Sequence, residues 1–184
     1  MKYTLEGVET ERLKFRLLED RDFDEWMVLF VDHEISRMFG MANIKTPKER
    51  CKQWFDWTYN RYENNLGGQN VLINKSNNKI IGQSGLLIRT IDGIEEMEVA
   101  YSILPSSRKM GFATEASKKC RDHAFENKFS HRLISIINID NLNSEKVALK
   151  NGMKKDRIIE FGGNPSHIFQ ITIDKWHKIQ EQQL

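Results

Sequence analysis

The stretch from Glu95 to Ile139 constrains the fold more than any other part of this chain. In "EEMEVAYSIL" apolar and polar residues alternate, which sets Met97, Val99, Tyr101 and Ile103 on one face of a strand and Glu96, Glu98, Ala100 and Ser102 on the other. After Gly111, the run "FATEASKKCRDHAFEN" predicts a helix to about Asn127, and "RLISIINI" predicts a further strand. A strand, a helix and a strand joined in this order form a right-handed crossover, so the two strands lie side by side and parallel.

Antiparallel strands are predicted ahead of this unit. "NVLINK", "KIIGQSGLLIRT" and "EEMEVAYSIL" are separated by the turn pairs Asn77-Asn78 and Asp92-Gly93, which suit hairpins. "RLKFRLLE" reads as a first strand because Leu13, Phe15 and Leu17 alternate with Arg12, Lys14 and Arg16. The spacing of Phe23, Trp26, Leu29 and Phe30 predicts one helix over Asp22 to Phe39. A second helix starts at Thr46, with Pro47 in its first position and Glu49 three residues after the cap, and runs to about Glu63. A short helix is expected from Ser144 to Asn151, stopped by Gly152; then strands "KKDRIIEF" and "SHIFQITI", and a last helix opened by Asp174. The expected class is α/β: a mixed, mostly antiparallel sheet of about seven strands with helices on both faces.

Length and composition narrow the function. At 184 residues, with 39% hydrophobic and 29% charged side chains, the profile is that of one globular domain, 1–184, without linker or repeat. The formal charge of +2 and the lack of a basic stripe interleaved with aromatics argue against nucleic acid as a partner. No apolar run approaches the length of a membrane span, and the N-terminal stretch is acidic where a signal peptide is apolar, so the expectation is no membrane partner and a cytoplasmic location. Cys51 and Cys120 fall on separate helices and read as ordinary thiols. The histidines show no metal-ligand spacing, and no metal is expected. There is no GxxxxGK[ST] and no GxGxxG, and "GQSG" is one residue short of a nucleophile elbow.

The junction "SRKMGFATEA" is the chain's most informative short motif. A strand feeding directly into a helix leaves the first helical N–H groups without partners, and the helix dipole adds positive charge there. Gly111 clears the approach to the backbone, Ala113 keeps the helix start close to the sheet, and Arg108 and Lys109 bring cationic reach. The reading is a pyrophosphate cradle built mainly of backbone amides; a plain strand-to-helix turn is the alternative.

With these blocks in place, the chain resembles the GNAT family of N-acetyltransferases, in particular the branch of ribosomal-protein alanine and spermidine acetyltransferases. The resemblance rests on "ETERLKFRLLEDRDFDEW", "TPKERCKQWFDW", "EVAYSILPSSRKMGFATEA" and "NIDNLNSEKVALKNGMKK", in the family's order. The chain departs from the branch at Arg108-Lys109-Met110-Gly111, where Trp-Gly-x-Gly is common, at Gly152-Met153 and at Ala100. The resemblance implies that acetyl-CoA is the co-substrate and that Arg108, Gly111 and Ala113, with the backbone of Lys109, Met110, Phe112 and Thr114, hold its pyrophosphate. It also implies that main-chain groups of Ser102, Ile103 and Leu104 pair with the pantetheine arm, and that Asn141 bonds the arm.

Acetyl transfer to an amine needs the ammonium to lose a proton and the thiolate to leave. Glu98, on the acidic face of its strand, is the candidate general base or anchor for a cationic acceptor, with an exposed strand acid as the other reading. The resemblance maps the family pattern N-x-x-S onto Asn141 and Ser144 and implies that Ser144 donates to the leaving sulfur, with a helix N-cap as its other reading. The run Glu95, Glu96 and Glu98 suits a cationic acceptor. Trp26, Phe30, Trp54, Phe55 and Trp57 are mostly assigned to core. The expected activity is direct acetyl transfer in a ternary complex to a primary amine. A protein N-terminal amine is placed first; a polyamine or other small amine, antibiotics included, or a non-catalytic acyl-CoA binding module are the alternatives. A monomer or homodimer is expected.

Overall fold

The computed structural model describes residues 2–182. Seven strands form one sheet: β1 (Leu13–Arg16), β2 (Gly67–Asn74), β3 (Lys79–Ile91), β4 (Ile94–Ile103), β5 (Arg132–Asn138), β6 (Lys154–Phe161) and β7 (Asn164–Thr172). Their spatial order is β1-β2-β3-β4-β5-β7-β6. Every neighbouring pair is antiparallel except β4 and β5, which are parallel and joined through helix α4 (Phe112–Glu126) as the crossover requires. The two expected hairpin turns form, with Asn78, Asp92 and Gly93 at positive φ.

The alternation in each strand sorts the core onto two faces. On one, α4 and α6 (Ile173–Glu181) cover Phe15, Leu72, Leu86, Val99 and Leu133 with Phe125 and Trp176. On the other, α1 (Phe23–Met27), a 3-10 turn (Val28–Val31), α2 (His33–Met38) and α3 (Pro47–Glu63) pack Trp26, Phe30, Trp54 and Phe55 against Val71 and Ile73. Helix α3 begins as read, with Thr46 and Glu49 forming a reciprocal capping box and Pro47 at its start. Cys51 and Cys120 sit on α3 and α4, both buried and unpaired.

Several boundaries differ from expectation: β1 ends already at Arg16, β7 starts at Asn164, and Thr172 rather than Asp174 caps the last helix. The helix expected over Asp22 to Phe39 is broken into α1, a 3-10 turn at Val28–Val31, and α2. The break falls at Asp32, whose extended backbone and side chain start α2 by accepting from the N–H groups of Glu34 and Ile35; a local acceptor outcompetes helix continuation. Strand β2 starts at Gly67, ahead of the apolar run, because Gly67, Gly68 and Gln69 pair with β3. Helix α5 (Leu142–Lys150) starts two residues before Ser144.

The start of α1 is tied to the sheet by a buried ion pair. Arg16 of β1 donates through both terminal nitrogens to the two carboxylate oxygens of Asp22, each at 2.6 Å, and Asp22 also accepts from Glu19 N–H. The Asp22 side chain is 3% exposed. Removing one partner of such a pair leaves the other charge buried alone, which costs more than the pair contributes. Asp22→Ala is expected to lower stability by about 3 kcal/mol, read as a shift of the urea unfolding midpoint at unchanged slope.

Candidate active site

The site is created where two strands part. β4 and β5 pair only at Met97↔Leu133 and Glu98↔Ile134, although β4 continues to Ile103 and β5 to Asn138. Past that point the buried Ser135 hydroxyl donates to the Val99 carbonyl at 2.6 Å, standing in for a ladder partner. In an antiparallel ladder, alternate residues turn both main-chain groups to opposite neighbours. Leu104 N–H donates to Ile81 of β3, so Ser102 turns toward β3 as well, and the groups of Tyr101 and Ile103 face the gap. The Ile103 carbonyl accepts from Arg108 Nε at 3.1 Å, and the Leu104 carbonyl accepts from Ser107 N–H. The free main-chain edge expected at Ser102, Ile103 and Leu104 is therefore shifted: it consists of Tyr101 and the Ile103 N–H, because strand parity, rather than nearness to the junction, decides which groups are open.

At the end of β4 the expected junction forms as an uncapped helix start. Gly111 precedes α4 at φ +86°, Lys109 is also at positive φ, and no side chain caps the helix. The first α4 bond runs from Glu115 N–H to the Gly111 carbonyl, leaving the amides of Phe112, Ala113 and Thr114 outside the helical ladder. A β-carbon on Gly111 would meet nothing nearer than Arg12 at 3.4 Å, so the chain itself demands glycine for its left-handed backbone rather than for internal crowding. Arg12 shapes the turn: it donates to the Met110 carbonyl and to Glu115, and lies over the Phe112 ring. Phe112 is core, Ala113 packs against it, and Lys109, Met110 and Gly111 are exposed.

A cleft of about 370 Å³ opens beside the parted strands, walled by Phe39, Trp54 and Trp57 on one side and by Ser135 to Asn138 and Phe161 on the other. One flank is closed where the α2 end meets the β6–β7 hairpin: Asn164 and Arg37 exchange two hydrogen bonds of 3.1 and 2.9 Å. Glu98 projects into this cleft, 6% exposed, so it is not the exposed strand acid of the alternative reading. Its Oε2 accepts from Arg89 Nε at 2.7 Å, and its Oε1 has no hydrogen-bond partner among the described residues. The Arg89 guanidinium lies between the rings of Trp57 and Phe161, each about 5.2 Å away. Arg61 stacks on the same Trp57, and burial together with the charge of Arg89 pulls its pKa down to about 10.

The fourth block is placed differently from its reading. Asn141 is the N-cap of α5, its Oδ1 accepting from Ser144 N–H at 3.1 Å, and Ser144 is the third residue inside the helix. The cap role considered for Ser144 thus belongs to Asn141. Both line the cleft, and Asn141 keeps its Nδ2 without a partner among the described residues. Tyr101 crosses from β4 to α5 and donates to the Ser144 carbonyl at 2.8 Å, with burial and then the Glu98 charge pushing its phenol pKa up. Burial pushes the thiols of Cys51 and Cys120 up to about 12, which leaves both protonated near neutral pH.

Arg89, Trp57 as a cleft wall, Phe161 and Tyr101 were not singled out by sequence. The available signal was parity. Once β3 and β4 are paired in register, Arg89, Leu87 and Gly85 share the face of Glu98 and Ala100.

An open strand edge thus lies beside an uncapped helix start and an aromatic cleft lined by one carboxylate. The chain belongs to the acetyltransferase (GNAT) domain family, whose model matches residues 12–154. It is 24% identical over 152 residues to the uncharacterized N-acetyltransferase YoaA of Bacillus subtilis, covering 83% of this chain and 85% of that one. Among solved structures, an acetyltransferase from Agrobacterium tumefaciens matches with a TM-score of 0.75 at 20% identity, over 93% of this chain and 96% of the other. Spermidine N-acetyltransferase from Vibrio cholerae, solved with CoA and spermine, matches with a TM-score of 0.71 at 17% identity, over 91% and 99%.

The two α5 residues separate by their effect on folding. Asn141→Ala should lower stability by about 1 kcal/mol through loss of the cap. Ser144→Ala should change it by less than about 0.5 kcal/mol, both read by chemical denaturation.

Proposed function

We propose that this chain is an acetyl-CoA-dependent N-acetyltransferase whose acceptor is the primary amine of a peptide N-terminus. The observation that carries the reading is the parting of β4 from β5 directly beside the uncapped start of α4. The first supplies main-chain groups that suit an amide-bearing arm, the second free N–H donors that suit a diphosphate. The residues present fit coenzyme A. The Arg108 to Thr114 turn would hold the pyrophosphate, Tyr101 and Ile103 the arm, and Asn141 Nδ2 would donate to an arm carbonyl. When bound, acetyl-CoA supplies the activated acetyl group as a thioester.

The chain's own residues account for the rest of the chemistry. Glu98 presents the unpartnered Oε1 to the cleft, where it takes a proton from the incoming ammonium, while Arg89 holds the other oxygen and fixes the carboxylate's orientation. Ser144 offers a hydroxyl at the cleft wall. A thiol of ordinary pKa, about 8.5, needs only such a hydrogen bond to leave near neutral pH. The buried, protonated cysteines supply no covalent relay, which favours direct transfer.

The lining supports a peptide acceptor over a polyamine. Glu98 is the single carboxylate among the cleft-lining residues, and Arg89 already neutralises it. A polyamine with several cationic centres needs several anionic positions, whereas Phe39, Trp54, Trp57 and Phe161 suit an amine carried on a largely neutral body. The test is release of free thiol from acetyl-CoA with a panel of N-terminal peptides, polyamines and aminoglycosides. Peptide-dependent release is expected, and release with polyamines alone would overturn the acceptor assignment. Tight coenzyme A binding without release from any amine would instead make the chain a binding module. Glu98→Gln should lower kcat by about 100-fold while leaving coenzyme A affinity by calorimetry unchanged, and a parental rate across about pH 6 to 9 would remove Glu98 from the mechanism.

A further inference from the structure

Two arginines and one carboxylate share a wall of the cleft. Arg89 lines it with a partly buried side chain, held between the rings of Trp57 and Phe161. Its Nε donates to Glu98 Oε2, whereas Nη1 and Nη2 donate to no described residue and stay accessible, as does the free Oε1 of Glu98. The pair is therefore joined through one donor and one acceptor, which leaves a carboxylate oxygen and the end of a guanidinium open side by side. Each open atom sits one carbon away from the bonded one, so a ligand that engages both needs its two groups only a few bonds apart.

Charge decides what those groups are. Arg61 stacks on the same Trp57 and is 5% exposed, its Nη2 donating to the carbonyls of Leu66 and Ile88. The acid that supports its charge is Glu98, against burial and against Arg89. Arg89 and Glu98 are the charged residues among those lining the cleft. Two cations thus face one anion, in a wall of aromatic rings that screens charge poorly. Catalysis enlarges the imbalance: when Glu98 takes the proton of the acceptor ammonium it becomes neutral, and both arginines lose their counter-charge. A carboxylate carried by the acceptor restores the balance at that step, so it is held more tightly as the reaction proceeds. The open fork of Arg89 suits the two oxygens of a carboxylate better than one carbonyl. A further cationic centre on the acceptor would add to the excess.

We infer that Arg89 is a specificity-determining residue, and that the acceptor carries a carboxylate a few bonds from its amine: the side chain of an N-terminal Asp or Glu, or the α-carboxylate of a free amino acid. This inference rests on the reading that places the acceptor amine at Glu98, and narrows it. The ammonium gives its proton to Glu98 Oε1, the carboxylate lies on Nη1 and Nη2 of Arg89, and the freed amine attacks the thioester.

The experiment measures thiol release from acetyl-CoA with acceptor pairs that differ only in a carboxylate or its neutral amide. These are peptides beginning with Asp against Asn and with Glu against Gln, and free alanine against alaninamide. The parental protein should prefer the carboxylate member by about 10- to 100-fold in kcat/KM. Preference within the peptide pairs makes an acidic side chain the source. Preference confined to the alanine pair supports Arg89 as the reader and overturns the peptide acceptor. Arg89→Met should bring the ratio to within about threefold of unity, and Arg89→Lys, which keeps the charge without the fork, should lower it by at least about threefold. A residue that only orients Glu98 would lower both members alike and leave the ratio in place. Equal turnover within every pair, or a ratio unchanged in either variant, overturns the inference. If no acceptor is turned over, the same pairs are titrated by calorimetry with coenzyme A present. A carboxylate preference in Kd then keeps Arg89 as the reader while the catalytic reading falls, and equal Kd values overturn both.

Discussion

The site depends on two parallel strands that stop pairing after two residues. A buried main-chain group must find a partner, and β4 and β5 withhold partners from each other beyond Glu98 and Ile134. Ser135 satisfies one carbonyl and Arg108 another; Tyr101 and the Ile103 N–H remain turned to the gap. One turn further on, the α4 amides are left uncapped, and a left-handed glycine holds that turn. Both features are unfavourable for an isolated fold and favourable for a ligand with amides at one end and phosphates at the other. The open main-chain groups of the site therefore run in one line, along the strand edge and onto the helix start.

Charge in the cleft is arranged around an indole rather than around a carboxylate cluster. Arg61 and Arg89 both stack on Trp57, and Glu98 is the acid that balances Arg89. Stacking spreads the guanidinium charge over an apolar face and lets it sit in a partly buried wall without several counter-ions. The repulsion between the two cations is visible in Arg61, whose pKa falls through burial and through Arg89. Such a balanced centre holds Glu98 in one orientation and leaves a single carboxylate oxygen facing the cleft.

Much of the architecture was legible in local patterns. The alternation in β4, the Asp92-Gly93 turn and the Thr46 capping box are each set by neighbours in sequence, and each formed as read. The errors lie where a local choice had near-equal competitors. Asp32 caps a new helix inside an apolar pattern that reads as continuous, and Asn141 takes the cap that Ser144 also fits, because either residue carries a suitable acceptor. Trp57 has the same helical spacing as the core aromatics Trp54 and Phe55, yet it turns to the cleft and stacks on two arginines.

Periodicity and turn chemistry act over a few residues, so the sequence alone determined the strand-helix-strand crossover, the uncapped glycine junction and the side of β4 that carries Glu98. Register between distant strands acts over tens of residues and has no local signature. Only the tertiary structure decided that Arg89 meets Glu98 and that strand parity opens Tyr101 and not Leu104. Those outcomes depend on where β4 leaves β5 and on how the α3 helix lies over β2 and β3, and both are set by packing of the whole sheet.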